Sequence, residues 1–189
     1  VELKIQTARL TIVPATAVIA RAAVTDRDQF ALLLGANVTD QWPPEVLSDV
    51  EEYFASQIEA NPGKFGMYCW YIVAEPGELV AARTLIGSIG TFPPGDDGVC
   101  MFGYAVLPAF EGRGVGREAA RAFVAWLAAR PEVRAIRADS FEGNTASGRI
   151  LTGCGLTCLG LSPDDASAPD SDRKGRGRLL RYERRIGEG

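Results

Sequence analysis

Between Gly103 and Gly116 the chain reads GYAVLPAFEGRGVG, an apolar strand pattern that runs through one proline into three alternating glycines. No other segment restricts the fold so tightly. Gly112, Gly114 and Gly116 can adopt left-handed backbone or let another group approach closely, and a helical apolar pattern begins directly at Val115. A strand that turns sharply into a helix leaves the first helical N–H groups without partners, and the helix dipole adds partial positive charge there. Arg113 and Arg117 contribute full charge beside it. The combination suits a pyrophosphate or a similar anion. Two other phosphate binders do not fit: Arg117-Glu118 stands where a Walker loop needs Lys-Ser or Lys-Thr, and G-R-G-V-G lacks the last spacing of G-x-G-x-x-G. Taken alone, the glycines also suit a plain tight turn, so a second element has to decide.

That element is Asn144-Thr145-Ala146-Ser147-Gly148-Arg149-Ile150-Leu151-Thr152-Gly153-Cys154-Gly155-Leu156. Asn144 is a good N-cap, Ser147, Ile150, Leu151 and Cys154 follow at helical spacing, and Gly153 and Gly155 end the run. With these two segments in hand, the chain resembles the GNAT N-acetyltransferase superfamily. The first is similar to its acyl-CoA-binding motif, Q/R-x-x-G-x-G/A. The second resembles the N-x-x-S…G-F element of RimJ/RimL-like members, and Thr7-Ala8-Arg9-Leu10 resembles their T-x-R-L opening. The likeness spans almost the whole chain, so residues 1–189 are expected to form a single GNAT-like domain.

The resemblance implies acetyl-CoA as acyl donor, no metal, and a set of roles. Backbone N–H groups across Gly112, Arg113, Gly114, Val115, Gly116 and Arg117 are expected to hold the pyrophosphate. Strand residues Tyr104, Ala105, Val106 and Leu107 would align the pantetheine arm, with an N–H near Val106 or Leu107 polarising the thioester carbonyl. Many relatives carry a proton-donating tyrosine where this chain has Leu151. In RimJ/RimL-like members the N-x-x-S serine lies near the sulfur instead, which assigns the catalytic role to Ser147, with Asn144 as a hydrogen-bonding partner for the arm. Met101 stands where relatives often have a glutamate base; Asp139, Glu142 and Glu183 are the substitutes, unless the amine arrives already deprotonated. Glu111 replaces the usual Gln or Arg of the glycine motif.

Composition narrows the chemistry. The chain has no histidine, which removes Ser-His-Asp and Cys-His mechanisms. Four cysteines, Cys69, Cys100, Cys154 and Cys158, form no C-x-x-C pair and read as packed thiols rather than zinc ligands. A net charge of −4 argues against nucleic acid as a partner. No stretch is long and apolar enough to span a membrane, and the N-terminus lacks a signal-peptide profile, so the expectation is a soluble cytoplasmic protein. An acidic run from Ser162 to Asp172 precedes the basic Arg173-Lys174-Gly175-Arg176-Gly177-Arg178. It reads as a loop whose charges pair with the following strand, or as a border of the acceptor site or a contact for the 3′-phosphate of CoA.

Turn residues and periodicity divide the rest. Strands are expected over 3–13, 67–74, 85–92, 99–107, 133–141, 156–161 and 177–185. Helices are expected over 16–24, 27–34, from Pro43-Pro44 to about 59, from 115 to before Pro131, and after Asn144. Trp42-Pro43-Pro44 and the helix to Glu59 are expected to wall the acceptor site. The order predicts an α/β fold with a single mixed, mostly antiparallel central sheet and helices on both faces. The function expected is an acetyl-CoA-dependent N-acetyltransferase acting on a primary amine, either a protein N-terminus or a small molecule, by direct attack on the thioester. The alternative is a non-catalytic acyl-CoA-binding sensor or interaction module. Either monomer or homodimer is compatible with the sequence.

Overall fold

Helix starts follow the capping chemistry of the sequence. Thr16 accepts from the Ile19 N–H at 3.2 Å to open α1 (Ala17–Thr25), and Asp26 accepts from the Gln29 N–H at 3.0 Å to open α2 (Arg27–Leu34). Gly35, at φ 61, ends α2 in the left-handed conformation. These features come from a computed structural model, which describes residues 3–44, 47, 50–167 and 177–187. The remaining helices are α3 (Glu51–Ala60), α4 (Val115–Ala128) and α5 (Thr145–Gly153).

Eight strands form one sheet: β1 (Ile5–Gln6), β2 (Leu10–Pro14), β3 (Cys69–Ala74), β4 (Thr84–Thr91), β5 (Val99–Val106), β6 (Ala135–Phe141), β7 (Thr157–Leu161) and β8 (Leu179–Arg185). Their spatial order is β1-β2-β3-β4-β5-β6-β8-β7, and every neighbouring pair is antiparallel except β5–β6. The expected mixed, mostly antiparallel sheet is therefore present. Alternate strand residues feed two cores on opposite faces. Trp70 and Ile72 pack with Phe123 and Leu127 of α4 and Leu151 of α5, whereas Tyr71 and Val73 pack with Ala20 of α1, Phe30 of α2 and Ala55 of α3.

Two expected elements differ. The strand expected over 3–13 is a hairpin, because the Thr7 N–H donates to the Leu10 carbonyl at 2.9 Å and its hydroxyl accepts from the Leu10 N–H at 3.0 Å. The helix expected from Pro43 begins only at Glu51. Leu47 and Val50 donate to the carbonyls of Pro44 and Leu47, three residues back, and residues 45, 46, 48 and 49 of the expected helix lie outside the described residues. Within the acidic–basic run, residues 168–176 lie outside the described residues. The flanking parts pair as expected: Arg178 with Asp165, and Arg181 with Asp164.

Candidate active site

β5 and β6 hold together at three positions, Val99 with Ala135, Cys100 with Ile136 and Met101 with Arg137. Beyond Met101 they part, while β4 still follows β5 to Val106 and β8 follows β6 to Phe141. Gly103 is exposed, and Tyr104, Ala105 and Val106 are only half-buried, although they lie in the middle of the sheet. The gap between the strands holds a pocket of about 170 Å³ bordered by Gly103, Tyr104, Ala138, Asn144 and Ser147.

The β4–β5 ladder fixes which backbone groups face this gap. Leu107 donates to the Ile86 carbonyl at 2.8 Å. Antiparallel pairing alternates, so the N–H groups of Gly103 and Ala105 also turn towards β4, and those of Tyr104 and Val106 turn away from it. Of the two donors left open by the sequence, Leu107 is committed, and its side chain is fully buried against α1–α3. Val106 has the free orientation. Pro108 follows with no N–H to offer.

At the far end of β5 the glycine turn has the form its sequence requires. Gly112 and Gly114 sit at φ 71 and φ 78. Gly114 caps α4 with no side chain, so the N–H groups of Val115, Gly116 and Arg117 have neither an intrahelical partner nor a side-chain cap. A Cβ on Gly116 would reach 3.5 Å from Ile150, 3.6 Å from Val106 and 3.8 Å from Tyr104, so its absence opens a groove between α4, α5 and β5. Arg113 and Arg117 are exposed beside it, and the Arg113 guanidinium stacks 5.9 Å from the Phe110 ring. Glu111 is exposed. This cradle suits an anionic pyrophosphate whose attached arm continues along β5.

The turn is tied to the N-terminal hairpin. Glu118 accepts from the Thr7 hydroxyl at 2.6 Å, from the Arg9 backbone N–H at 3.0 Å and from Arg9 Nε at 2.8 Å. Arg9 Nη1 donates to the Arg113 carbonyl at 3.1 Å. The Thr7 and Arg9 of the opening motif thus clamp the first turn of α4 and the loop before it.

Across the gap, Asn144 caps α5 by accepting from the Ser147 N–H at 3.0 Å, which leaves only its NH₂ for other partners. Ser147 Oγ lies 3.2 Å from the Tyr104 hydroxyl, and either oxygen can donate. Burial raises the Tyr104 pKa above 10 while the Ser147 contact opposes this, so the phenol keeps its proton at neutral pH. Tyr104 also borders Gly116, so one side chain connects the glycine turn to Ser147. Its strand position was readable in the sequence, but its meeting with Ser147 depends on the splay. Leu151 is 1% exposed in the core below.

The three substitute bases are all engaged. Asp139 accepts from Arg181 at 2.9 and 2.8 Å and from the Ser162 hydroxyl at 2.6 Å. Glu183 is held by Arg137 and Arg185, and the Arg137 hydrogen bond draws its carboxyl below the usual range. Glu142 accepts from the Arg178 backbone and lies exposed.

A carboxyl that sequence reasoning missed is Glu51. It stands in the first turn of α3, beside a small cavity reaching Phe54, Cys69, Tyr71 and Ser88. Burial pushes its carboxyl up to about 7, against the moderating effects of the Trp42 indole and Arg27. Among the described residues, neither Glu51 Oε1 nor Trp42 Nε1 has a hydrogen-bond partner, though both are buried. Trp42 itself is 3% exposed and packs on Phe30 and Tyr71.

Comparison with known proteins places this geometry. The family model described as Acetyltransferase (GNAT) domain matches residues 17–157. Over 124 residues the chain is 26% identical to the uncharacterised N-acetyltransferase YjdG of Bacillus subtilis (strain 168), covering 65% of this chain and 71% of that protein. Among solved structures, RimL, a ribosomal L7/L12 alpha-N-protein acetyltransferase in complex with coenzyme A, aligns with a TM-score of 0.62 and 18% identity, over 99% of this chain and 100% of that one. The microcin C7 self-immunity acetyltransferase MccE, bound to acetyl-CoA and AMP, gives 0.62 and 16%, over 95% and 94%. At these identities the structural likeness establishes the fold.

Proposed function

Since the chain belongs to the GNAT acetyltransferase family and is by that membership an N-acetyltransferase, we propose that it transfers acetyl from acetyl-CoA to a primary amine by direct attack on the thioester. The observation that carries this reading is the Tyr104–Ser147 hydroxyl pair, which bridges the β5–β6 gap within reach of an uncapped, glycine-built helix start. Acetyl-CoA supplies the activated carbonyl and a thiolate leaving group.

Each residue then has a physical task. The N–H groups of Val115, Gly116 and Arg117 bind the pyrophosphate, with Arg113 adding attraction that solvent screens. The outward backbone of Tyr104 and Val106 pairs with the amides of the arm as a strand edge pairs with a peptide. The Val106 N–H points where negative charge grows on the carbonyl oxygen; a fixed donor of this kind is worth roughly 2.7–4 kcal/mol. Ser147 passes a proton to the departing sulfur, and Tyr104 replenishes it. The Asn144 NH₂ is available to the arm. The acceptor approaches from the α1–α3 face, opposite Ser147. It is either a protein N-terminal amine, the class named for RimL, or a small-molecule amine.

The test is release of free thiol from acetyl-CoA on addition of amines and N-terminal peptides, beside calorimetry with acetyl-CoA alone. Binding together with amine-dependent thiol release is the expected result. Binding without release from any amine would return the chain to the sensor alternative, and no binding would remove the site altogether.

A further inference from the structure

The three carboxylates that the sequence offered as bases are paired or exposed on the β6–β8 side of the sheet. On the acceptor face of β4–β5, Glu51 borders a cavity and is left without an ion pair by the described residues. Its cavity includes Ser88, which is paired in register with Ala105, the residue between Tyr104 and Val106. Paired residues project from the same face, so Glu51 lies across a single strand pair from the point where the acyl group would sit. Glu51 borders this cavity with its buried Oε1 unpartnered, and the Trp42 indole lies close enough to the carboxyl to moderate its shift. Buried polar groups are seldom left unpaired, and the Glu51 oxygen has room beside it for a donor.

What leads to the cavity is apolar. Phe54 lines it and stacks on Phe92 at 5.9 Å, and Tyr53 meets both rings at 5.8 and 6.3 Å. Tyr53 and Phe92 are 48% and 41% exposed, forming an aromatic mouth next to Met101, whose carbonyl accepts from the Phe92 N–H. The other two carboxylates of α3, Glu52 and Glu59, are both held by Arg21.

We propose that Glu51 receives the acceptor's ammonium group and takes its proton, and that the acceptor is a primary amine carrying one apolar or aromatic substituent. The inference rests on the N-acetyltransferase reading. One proton leaves R–NH₃⁺ for the Glu51 carboxylate, giving R–NH₂ and a neutral carboxyl. The freed lone pair forms the C–N bond as the C–S bond breaks. The thiolate takes its proton from the Ser147–Tyr104 pair, and Glu51 returns its own to solvent. Facing the Glu51 carboxyl are Arg27 from α2, whose donors are committed to the Thr39 and Trp42 carbonyls, and Cys69 and Tyr71 from β3, both kept protonated by burial.

The probe is phenethylamine, with spermidine for comparison, assayed by thiol release from pH 5.5 to 9 for wild type and Glu51→Gln. Wild-type kcat/KM should rise tenfold per pH unit up to about 7 and then level. Glu51→Gln should lower it roughly 100-fold at pH 7, within the range for general-base removal, and its remaining activity should climb without that break. Its acetyl-CoA affinity should stay within about twofold. Tyr53→Ala, an exposed change, should raise the phenethylamine KM several-fold with kcat unchanged. A Glu51→Gln enzyme with wild-type kcat/KM and the same break overturns the proposal while leaving the N-acetyltransferase reading intact. So does a wild type that prefers spermidine. Failure of the wild type to bind acetyl-CoA would instead sink that reading, and this inference with it.

Discussion

Glu51→Gln should make the protein more stable above neutrality while impairing turnover. In the fold, burial lifts the Glu51 carboxyl from 4.5 to about 7. A carboxyl raised in this way favours the protonated folded state. Its full contribution is present below the unfolded value and is lost as pH climbs through the folded one. Complete burial of the effect would amount to about 3 kcal/mol at roughly 1.4 kcal/mol per pH unit. The side chain is only half-buried, so solvent screening reduces this to about 2 kcal/mol. Glutamine has nearly the same shape and no charge to desolvate, so it should exceed wild type only slightly at pH 5, where roughly a quarter of the effect has developed, and by the full amount at pH 8. For a chain of this size the gap corresponds to a rise of roughly 4–8 °C in Tm at pH 8. Paired thermal melts of both proteins at pH 5 and 8 read this as a double difference, in which every other titrating group cancels. Cys69 and Tyr71, the neighbours that burial also shifts, stay protonated across that range. An equal Tm difference at both pH values would refute the reasoning, because it would mean that Glu51 carries no buried charge.

The other expectations concern the donor side of the gap. Ser147→Ala should lower kcat at least tenfold with little change in acetyl-CoA affinity, and Tyr104→Phe should add little on top of it, since the two hydroxyls act as one relay; steady-state kinetics on the single and double variants checks both. Gly114→Val should abolish acetyl-CoA binding by calorimetry while the far-UV spectrum persists, because a branched residue at φ 78 costs about 1–2 kcal/mol and distorts the amide cradle. Arg9→Ala should weaken acetyl-CoA binding several-fold and destabilise the fold by about 1–3 kcal/mol in denaturant titration, as Glu118 loses its charged partner. Arg9→Lys should not restore it, since lysine cannot contact Glu118 and the Arg113 carbonyl with one planar fork.

Much of the fold was legible because local chemistry agreed with the tertiary structure. Asn144 caps the helix that its position announces, and Thr16 and Asp26 stand at the starts of the two short helices expected near 16 and 27. The segment from Gly103 to Gly116 becomes strand, turn and helix in the expected order. The misses lie where side chains redirect the backbone. Thr7 turns one expected strand into a hairpin, because its hydroxyl and amide both engage Leu10. Nothing in the apolar period after Pro44 distinguishes three-residue turns from a helix, and the start of α3 is marked only by Glu51 and Glu52 in its first turn.

The elements that carry the candidate site were legible in the sequence, and the side-chain meetings between them were not. Sequence comparison locates the proton donor and base by position, and at Leu151 and Met101 this chain has neither. Position is a weak guide here because proton transfer requires only that a group reach the reacting atom. Leu151 faces the buried core, whereas Ser147, one turn earlier, meets Tyr104 from the opposite wall, and these two residues, 43 apart in sequence, are the relay proposed above. On the acceptor face the same logic holds. Met101 leaves the strand without a carboxylate, and the substitute proposed above, Glu51, stands on α3, in a segment whose helix start the sequence misplaced. A glutamate in the first turn of a helix reads as ordinary dipole compensation, and only the packing of Trp42, Tyr71 and Phe54 around it turns Glu51 into a buried acid. Loss of a motif residue therefore argues against catalysis only when no other element can bring an equivalent group to the same site, and here α5 and α3 each offer a candidate.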